Sequence, residues 1–278
     1  MRIGELTSII ILLGLSSALF AQNLSRVPDV RHIVESSTAA TQRHWQERLH
    51  YTYMAREESR RLDTDGRVKS DDVDVSRTIL VNGVPFEQLV QHNGQPPSAE
   101  EERKQKEEID KLKRETPEQR AERLRKEEEE NTSLIGQVPK AFDFQLVGED
   151  VVSGRPAYVF QATPHPGYQA QGKYGKMFSK VEGKLWIDKQ DLGWIKVDAQ
   201  VIQPFSMGLF LARVLRGSHI TMEQAHVDDR IWVPEQVEVR AAARIFFVKN
   251  LVIEHVLTYS EYRLPQAGIP AKGDPATR

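Results

Sequence analysis

The sequence predicts an α+β protein that is mainly β: one antiparallel sheet of about ten or eleven strands over an N-terminal helix, with a charged helical hairpin inserted between strands. Three observations point there. From Tyr51 to Tyr262, short runs of bulky apolar residues alternate with polar ones, the period of two that marks strands with one buried face. Tight-turn signals such as Asn82-Gly83 and Asn93-Gly94 separate early runs, so the strands they join are antiparallel neighbours. Helical spacing appears in long stretches only near residues 29–48 and 98–131.

Residues 1–21 read as a secretory signal peptide. Arg2 gives a weakly basic start, Ile9 to Phe20 form a short apolar run, and Ala21 stands before the expected cut. The run is short for a bilayer span, and no cysteine follows it to carry a lipid. The mature chain is therefore expected to be periplasmic or secreted. Residues 22–264 are expected to form a single domain, and 265–278, rich in Pro, Gly and Ala, a disordered tail.

Val30, Ile33, Val34, Ala40, Trp45 and Leu49 fall near helical spacing, with Asp29 placed to cap the first turn. A single amphipathic helix must cover something, and the sheet is the available surface. Strands are expected over Tyr51–Leu62, Val73–Val81 and Val84–His92, a three-strand meander. Residues 98–131 are mostly Glu, Lys and Arg, and Thr116-Pro117-Glu118 splits them into two helices by an N-cap followed by proline. Strands resume at Phe142, turn at Ser153-Gly154-Arg155-Pro156, and run again to Ala162. Gly183–Asp198 reads as a hairpin, with Leu185 and Ile187 alternating against Trp186, and Ile195 and Val197 against Lys196. A one-residue shift decides whether Trp186 or Leu185 faces the helix. After an apolar stretch from Phe205 to Leu215, closing strands are expected over His219–Val227, Ile231–Val239 and Arg244–Tyr262.

Composition and motifs argue against most chemistries. A net charge of −2 with mixed signs offers no surface for nucleic acid, and the lack of cysteine removes zinc-ribbon and thiol chemistry. No nucleophile–base pair, phosphate loop or metal signature stands out, so no catalytic residue, cofactor or metal is expected. Ser218 follows Gly217 without the second glycine of a nucleophile elbow. His219, Glu223 and His226 lack helical metal-ligand spacing, and on a strand His226 points away from the other two.

Several segments resemble the lipoprotein-sorting superfamily that includes LolA, LolB and RseB, and within it secreted outer membrane lipoprotein-sorting protein-like chains. The resemblance rests on Phe142-Asp143-Phe144, Gly154-Arg155-Pro156-Ala157-Tyr158, Gly183-Lys184-Leu185-Trp186-Ile187-Asp188, Ile231-Trp232-Val233-Pro234 and Tyr259-Ser260-Glu261-Tyr262-Arg263. It implies an open, curved half-barrel sheet wrapped over helices, with a hydrophobic cavity that accepts lipid or acyl groups. The expected function is then a non-enzymatic carrier for an acyl chain, lipid or lipoprotein segment, with peripheral membrane contact allowed. Bulk and alternation nominate Trp186, Ile195, Phe205, Leu209, Phe210 and Trp232 as lining residues, although the same residues would equally fill an ordinary core. The alternative is an envelope regulator or scaffold, resembling RseB, that binds a protein partner through 98–131. A charge run is more often a solvated face.

Overall fold

The computed structural model describes residues 29–63, 65–169, 171–172, 175–207, 212–245 and 249–265. The expected signal segment, and the expected tail from residue 266, lie outside the described residues. Helix α1 (Val30–Arg48) leads into a meander of β1 (Thr52–Leu62), β2 (Val68–Val81) and β3 (Val84–His92). Helices α2 (Ala99–Arg114) and α3 (Pro117–Ala141) follow, then β4 (Phe142–Val152), β5 (Arg155–Pro164) and the one-turn α4 (Gly175–Phe178). The remainder is β6 (Val181–Asp188), β7 (Trp194–Val201), β8 (Phe205–Met207), β9 (Ala212–Val214), β10 (His219–Val227), β11 (Ile231–Ile245) and β12 (Lys249–Arg263).

Twelve strands form one antiparallel sheet, in the order β3-β2-β1-β12-β11-β10-β7-β6-β5-β4, with β8 and β9 off the main path beside β11. The last strand, β12, pairs on one side with β1 and on the other with β11, which joins the N-terminal meander to the rest. Edges β3 and β4 stay apart, so the sheet is open. Bulges in β7 and β11, among others, bend the strands, and bending of this kind curves a sheet.

The helices begin where their caps dictate. The Asp29 carboxylate accepts from the His32 N–H at 3.1 Å, while Ser98 with Glu101 and Thr116 with Gln119 form reciprocal capping boxes. Topology explains the charged insertion: α2 and α3 connect β3 to β4, the two edges of the open sheet. Their arms go separate ways. The α2 C-terminus meets the β2–β3 turn, where Asn82 Nδ2 donates to the Leu112 carbonyl at 3.1 Å, whereas α3 packs along α1. Gly136 permits that approach, since a Cβ there would lie 3.1 Å from Gln42 Nε2. Helix α3 runs past the charge-rich stretch to Ala141 because Leu134, Ile135 and Val138 add an apolar face toward α1 and the sheet.

Many charges of the arm satisfy one another. Lys104 pairs with Glu100, Arg103 with Glu107, Arg125 with Glu122 and Glu129, and Arg123 with Glu115 and Glu127. Most of these pairs are exposed, where solvent screening leaves an ion pair little net stabilisation. They solvate a helix more than they stabilise it.

The main core lies between α1, α3 and the concave face of β4–β7. Ile33 and Val34 of α1 pack with Phe160, Leu185, Ile187 and Trp194, with Ile135 and Val138 of α3 against them. Burial of side chains this size contributes about 1.5–3 kcal/mol each. Register is thereby decided: Leu185 and Ile187 face the helices, and Trp186 faces away. The alternation read for β7 needs correction. Trp186 pairs with Lys196 but Ile187 pairs with Trp194, so Ile195 is the extra residue of a bulge. Trp194 and Val197 consequently pack on the helix side, and Ile195 joins Ala157, Val159, Trp186 and Trp232 in a second cluster.

One contact of this hairpin is directly testable. A Cβ on Gly183 would lie 2.2 Å from the Asp198 carbonyl oxygen and 2.7 Å from Ala199 Cα, both backbone atoms of the paired strand. Gly183→Ala is expected to destabilise the fold by about 1–3 kcal/mol or more, the usual cost of overpacking. A urea unfolding midpoint equal to that of the wild type would show that β6 and β7 separate at no cost.

Candidate functional site

Helix α1 supplies one wall of a groove whose other walls are α3 and the concave sheet. Along its inner face come Val34, Ser37 and Thr38, then Thr41, His44, Trp45 and Arg48, at the spacing of three or four that keeps side chains on one stripe. Its first half is buried against the core. Ser37 and Thr38 return their hydroxyls to the Val34 carbonyl, both at 2.9 Å, so no polar group is stranded there. In the second half the stripe borders a hollow between helix and sheet.

Three hollows follow one another along the groove. The first, about 120 Å³, lies over β4–β7 and is walled by Val138, Phe142, Phe144, Leu185 and Val197, with Gly183 on its floor. Trp194 is shared with the second, about 190 Å³, beneath the end of α1. That hollow takes Leu134 and Ile135 from α3 and Met222, Gln224, Trp232 and Pro234 from the sheet. Arg48 and Pro234 are shared with the third, about 150 Å³, which Tyr53, Tyr259 and Tyr262 surround. The lining is mainly apolar in the first two, with polar atoms gathered at the α1 end.

Electrostatics differ sharply along this line. The Arg48 guanidinium lies 3.4 Å from the centroid of the Trp45 ring, and burial lowers its pKa. Burial likewise holds the His44 imidazole below its ordinary value, despite Asp191 nearby. Burial raises the Tyr53 phenol, reinforced by its hydrogen bond to Glu87 Oε1 at 2.6 Å, and also raises Tyr262, whose hydroxyl donates to the Pro234 carbonyl at 2.6 Å. These phenols stay neutral at physiological pH.

A second polar centre sits at the turn between β6 and β7. Asp188, fully buried, receives Arg155 Nε at 2.7 Å on Oδ2 and Arg155 Nη2 at 3.0 Å on Oδ1. The N–H groups of Gln190 and Asp191 also donate to Oδ1, at 2.7 and 3.0 Å. Asp191 in turn accepts from Arg155 Nη2, Trp232 Nε1 and the Gly193 N–H, each within 3.0 Å, and meets His226 Nε2 at 3.3 Å. A carboxylate so fully engaged has no lone pair to spare for a substrate proton. The centre holds the β6–β7 turn and the Trp232 ring in place, and a Cβ on Gly193 would lie 2.0 Å from that ring.

The six residues nominated from sequence go to different places. Trp232 is buried, belongs to the second core cluster and lines the middle hollow. Trp186 and Ile195 are in that cluster but line none of the three hollows; Trp186 donates instead to Asp150 Oδ2 at 3.0 Å. Phe205 is half-buried on β8 opposite Val214 of β9, and it too is absent from the lining. Leu209 and Phe210 lie outside the described residues. His219 pairs with Asp198, Glu223 with Lys196, and His226 with Asp191, so these three do not converge. Among the described residues no group of His, Asp and Glu could hold a metal ion. Sequence reading passed over Thr41, His44 and Arg48, although their spacing with Trp45 already put them on the stripe that begins at Ile33.

No family model and no curated protein matches the chain. Solved structures do. A DUF1329 family protein from Desulfovibrio piger is 12% identical over 85% of this chain and 95% of its own, with a TM-score of 0.32. An outer membrane lipoprotein-sorting protein domain from Vibrio parahaemolyticus is 11% identical over 84% and 95%, also at 0.32. A LolA superfamily protein from Nitrosomonas europaea is 10% identical over 86% and 94%, at 0.27. The names these matched structures carry include the superfamily that the sequence segments resemble.

Proposed function

We propose that the chain is a non-enzymatic binding or carrier protein of the bacterial envelope, which holds an acyl chain of a lipid or lipoprotein segment in the groove beneath α1 and α3. The observation that carries this reading is the pair of apolar hollows on the concave face, which share Trp194 as a lining residue. An open sheet with two helices across its mouth gives a flexible chain a route in from the side. Each methylene moved from water into such a groove contributes about 0.8 kcal/mol, which offsets the cost of ordering the chain. The signal-like start of the sequence agrees with a periplasmic or secreted site of action.

The test is direct. Delipidated protein titrated with a fluorescent fatty acid is expected to bind it saturably, one chain per protein, with native mass spectrometry showing the same stoichiometry. Absence of uptake in both measurements would end the carrier reading.

A further inference from the structure

We infer that the α1 end of the groove is a head-group site for an anionic amphiphile: an acyl chain whose free carboxylate or phosphate is received by Arg48, with Thr41 and His44 beside it. This rests on the carrier reading above and narrows its ligand class.

The middle hollow holds polar groups that the fold leaves without partners. Thr41 Oγ1 and His44 Nδ1 are both buried, both line the hollow, and neither makes a hydrogen bond. Buried polar side-chain atoms are normally satisfied, and an orphan costs free energy until something fills its place. These two orphans lie one turn apart on the same stripe, on residues that line the same hollow, so its wall carries polar groups that the fold leaves unsatisfied.

Arg48 adds the charge. It lines both this hollow and the next, and among the described residues its guanidinium makes no hydrogen bond and has no carboxylate within 4.0 Å. It lies over the face of Trp45, an attraction weaker than a bidentate ion pair. Glu87, which lines the neighbouring hollow and whose charge Arg48 feels, is engaged by the Tyr53 hydroxyl. A half-buried, ring-backed guanidinium presents a planar fork that matches a carboxylate or phosphate. The apolar hollow beyond Trp194 then lies on the side where an acyl tail would run. A methyl ester has no charge at its head, so Arg48 can offer it only an ordinary hydrogen bond to the carbonyl.

The experiment compares heads on one tail. Delipidated full-length protein is titrated with palmitate, hexadecyl phosphate and methyl palmitate, in displacement of a fluorescent acyl probe. The wild type is expected to bind at least one of the two anions about ten-fold or more tighter than the ester, the scale of a charge-assisted hydrogen-bonded pair, and the preferred anion identifies the head. Arg48→Gln is expected to remove that preference, so that anions and ester bind alike, and continued binding of methyl palmitate shows that the variant is folded. Thr41→Val should weaken the anion alone, by a few-fold. Equal binding of ester and anions by the wild type overturns the head-group site and leaves the carrier reading standing, as does an unaltered preference in Arg48→Gln. Failure of all three ligands to bind overturns both. The wild-type comparison needs no variant, so it decides even if Arg48→Gln does not fold.

Discussion

Asp188→Asn is expected to lower the unfolding free energy at neutral pH by about 3–5 kcal/mol, the scale for removing one partner from a buried ion pair. The substitution changes almost no volume. It places an amide where one carboxylate oxygen accepts from Arg155, so a donor meets a donor at a position with no access to water. Arg155 keeps Asp191, but one carboxylate then serves a guanidinium that two had shared. The pH dependence has a definite sign. Burial by itself raises the Asp188 pKa, yet the bonds from Arg155 and from the N–H groups of Asp191 and Gln190 outweigh it and leave the carboxyl below its ordinary value. A depressed value in the folded state means that stability is full above the ordinary aspartate pKa of about 3.9 and is lost as pH falls through the depressed one. Wild type and variant should therefore differ most at neutral pH and converge in acid. Urea unfolding at neutral pH and at about pH 3 measures both. Equal midpoints at neutral pH would mean the pair contributes nothing to the fold.

Much of this architecture was legible because local rules act over a few residues. Asp29 capped the first helix where the sequence placed it, Thr116-Pro117 divided the charged segment, and the Asn82-Gly83 turn joined the strands on either side. An antiparallel, mainly β fold follows from alternation and turns alone. What alternation cannot register is a bulge. The Trp186–Ile195 neighbourhood reads as two regular strands, yet one extra residue at Ile195 moves Trp194 to the helix side and puts Ile195 on the far side with Trp186, which regular alternation along β6 already turns away from the helices. Nor does local pattern reveal which strand meets which. That β12 sits between β1 and β11, and that α2 and α3 join the two sheet edges, are consequences of long-range pairing. The polar stripe of Thr41, His44 and Arg48 was hidden for a related reason. On a helix such residues ordinarily mark the solvated face, and only the position of the sheet shows that this stripe faces inward.

Trp194→Ala is expected to have two effects of opposite sign, and their combination distinguishes a ligand groove from a core. The ring is 8% exposed, packs with Val34, Phe160, Leu185 and Ile187, and donates Nε1 to Ser37 Oγ at 3.1 Å. Truncation of a buried tryptophan costs about 3–5 kcal/mol, so stability should fall by that order. The same residue lines both the hollows of about 120 and 190 Å³, and truncating it to alanine is expected to join them. A joined groove accepts a longer straight chain, so the preference among saturated fatty acids should move toward greater length even as the fold weakens. Fluorescent-probe displacement across a series of chain lengths, set beside urea unfolding of the same samples, reads both. Were Trp194 only a core residue, the variant would lose stability and its chain-length preference would stay where it was. A shift in that preference at reduced stability requires that the space on either side of Trp194 belong to one binding site, with the tryptophan setting how far along it an acyl chain can extend.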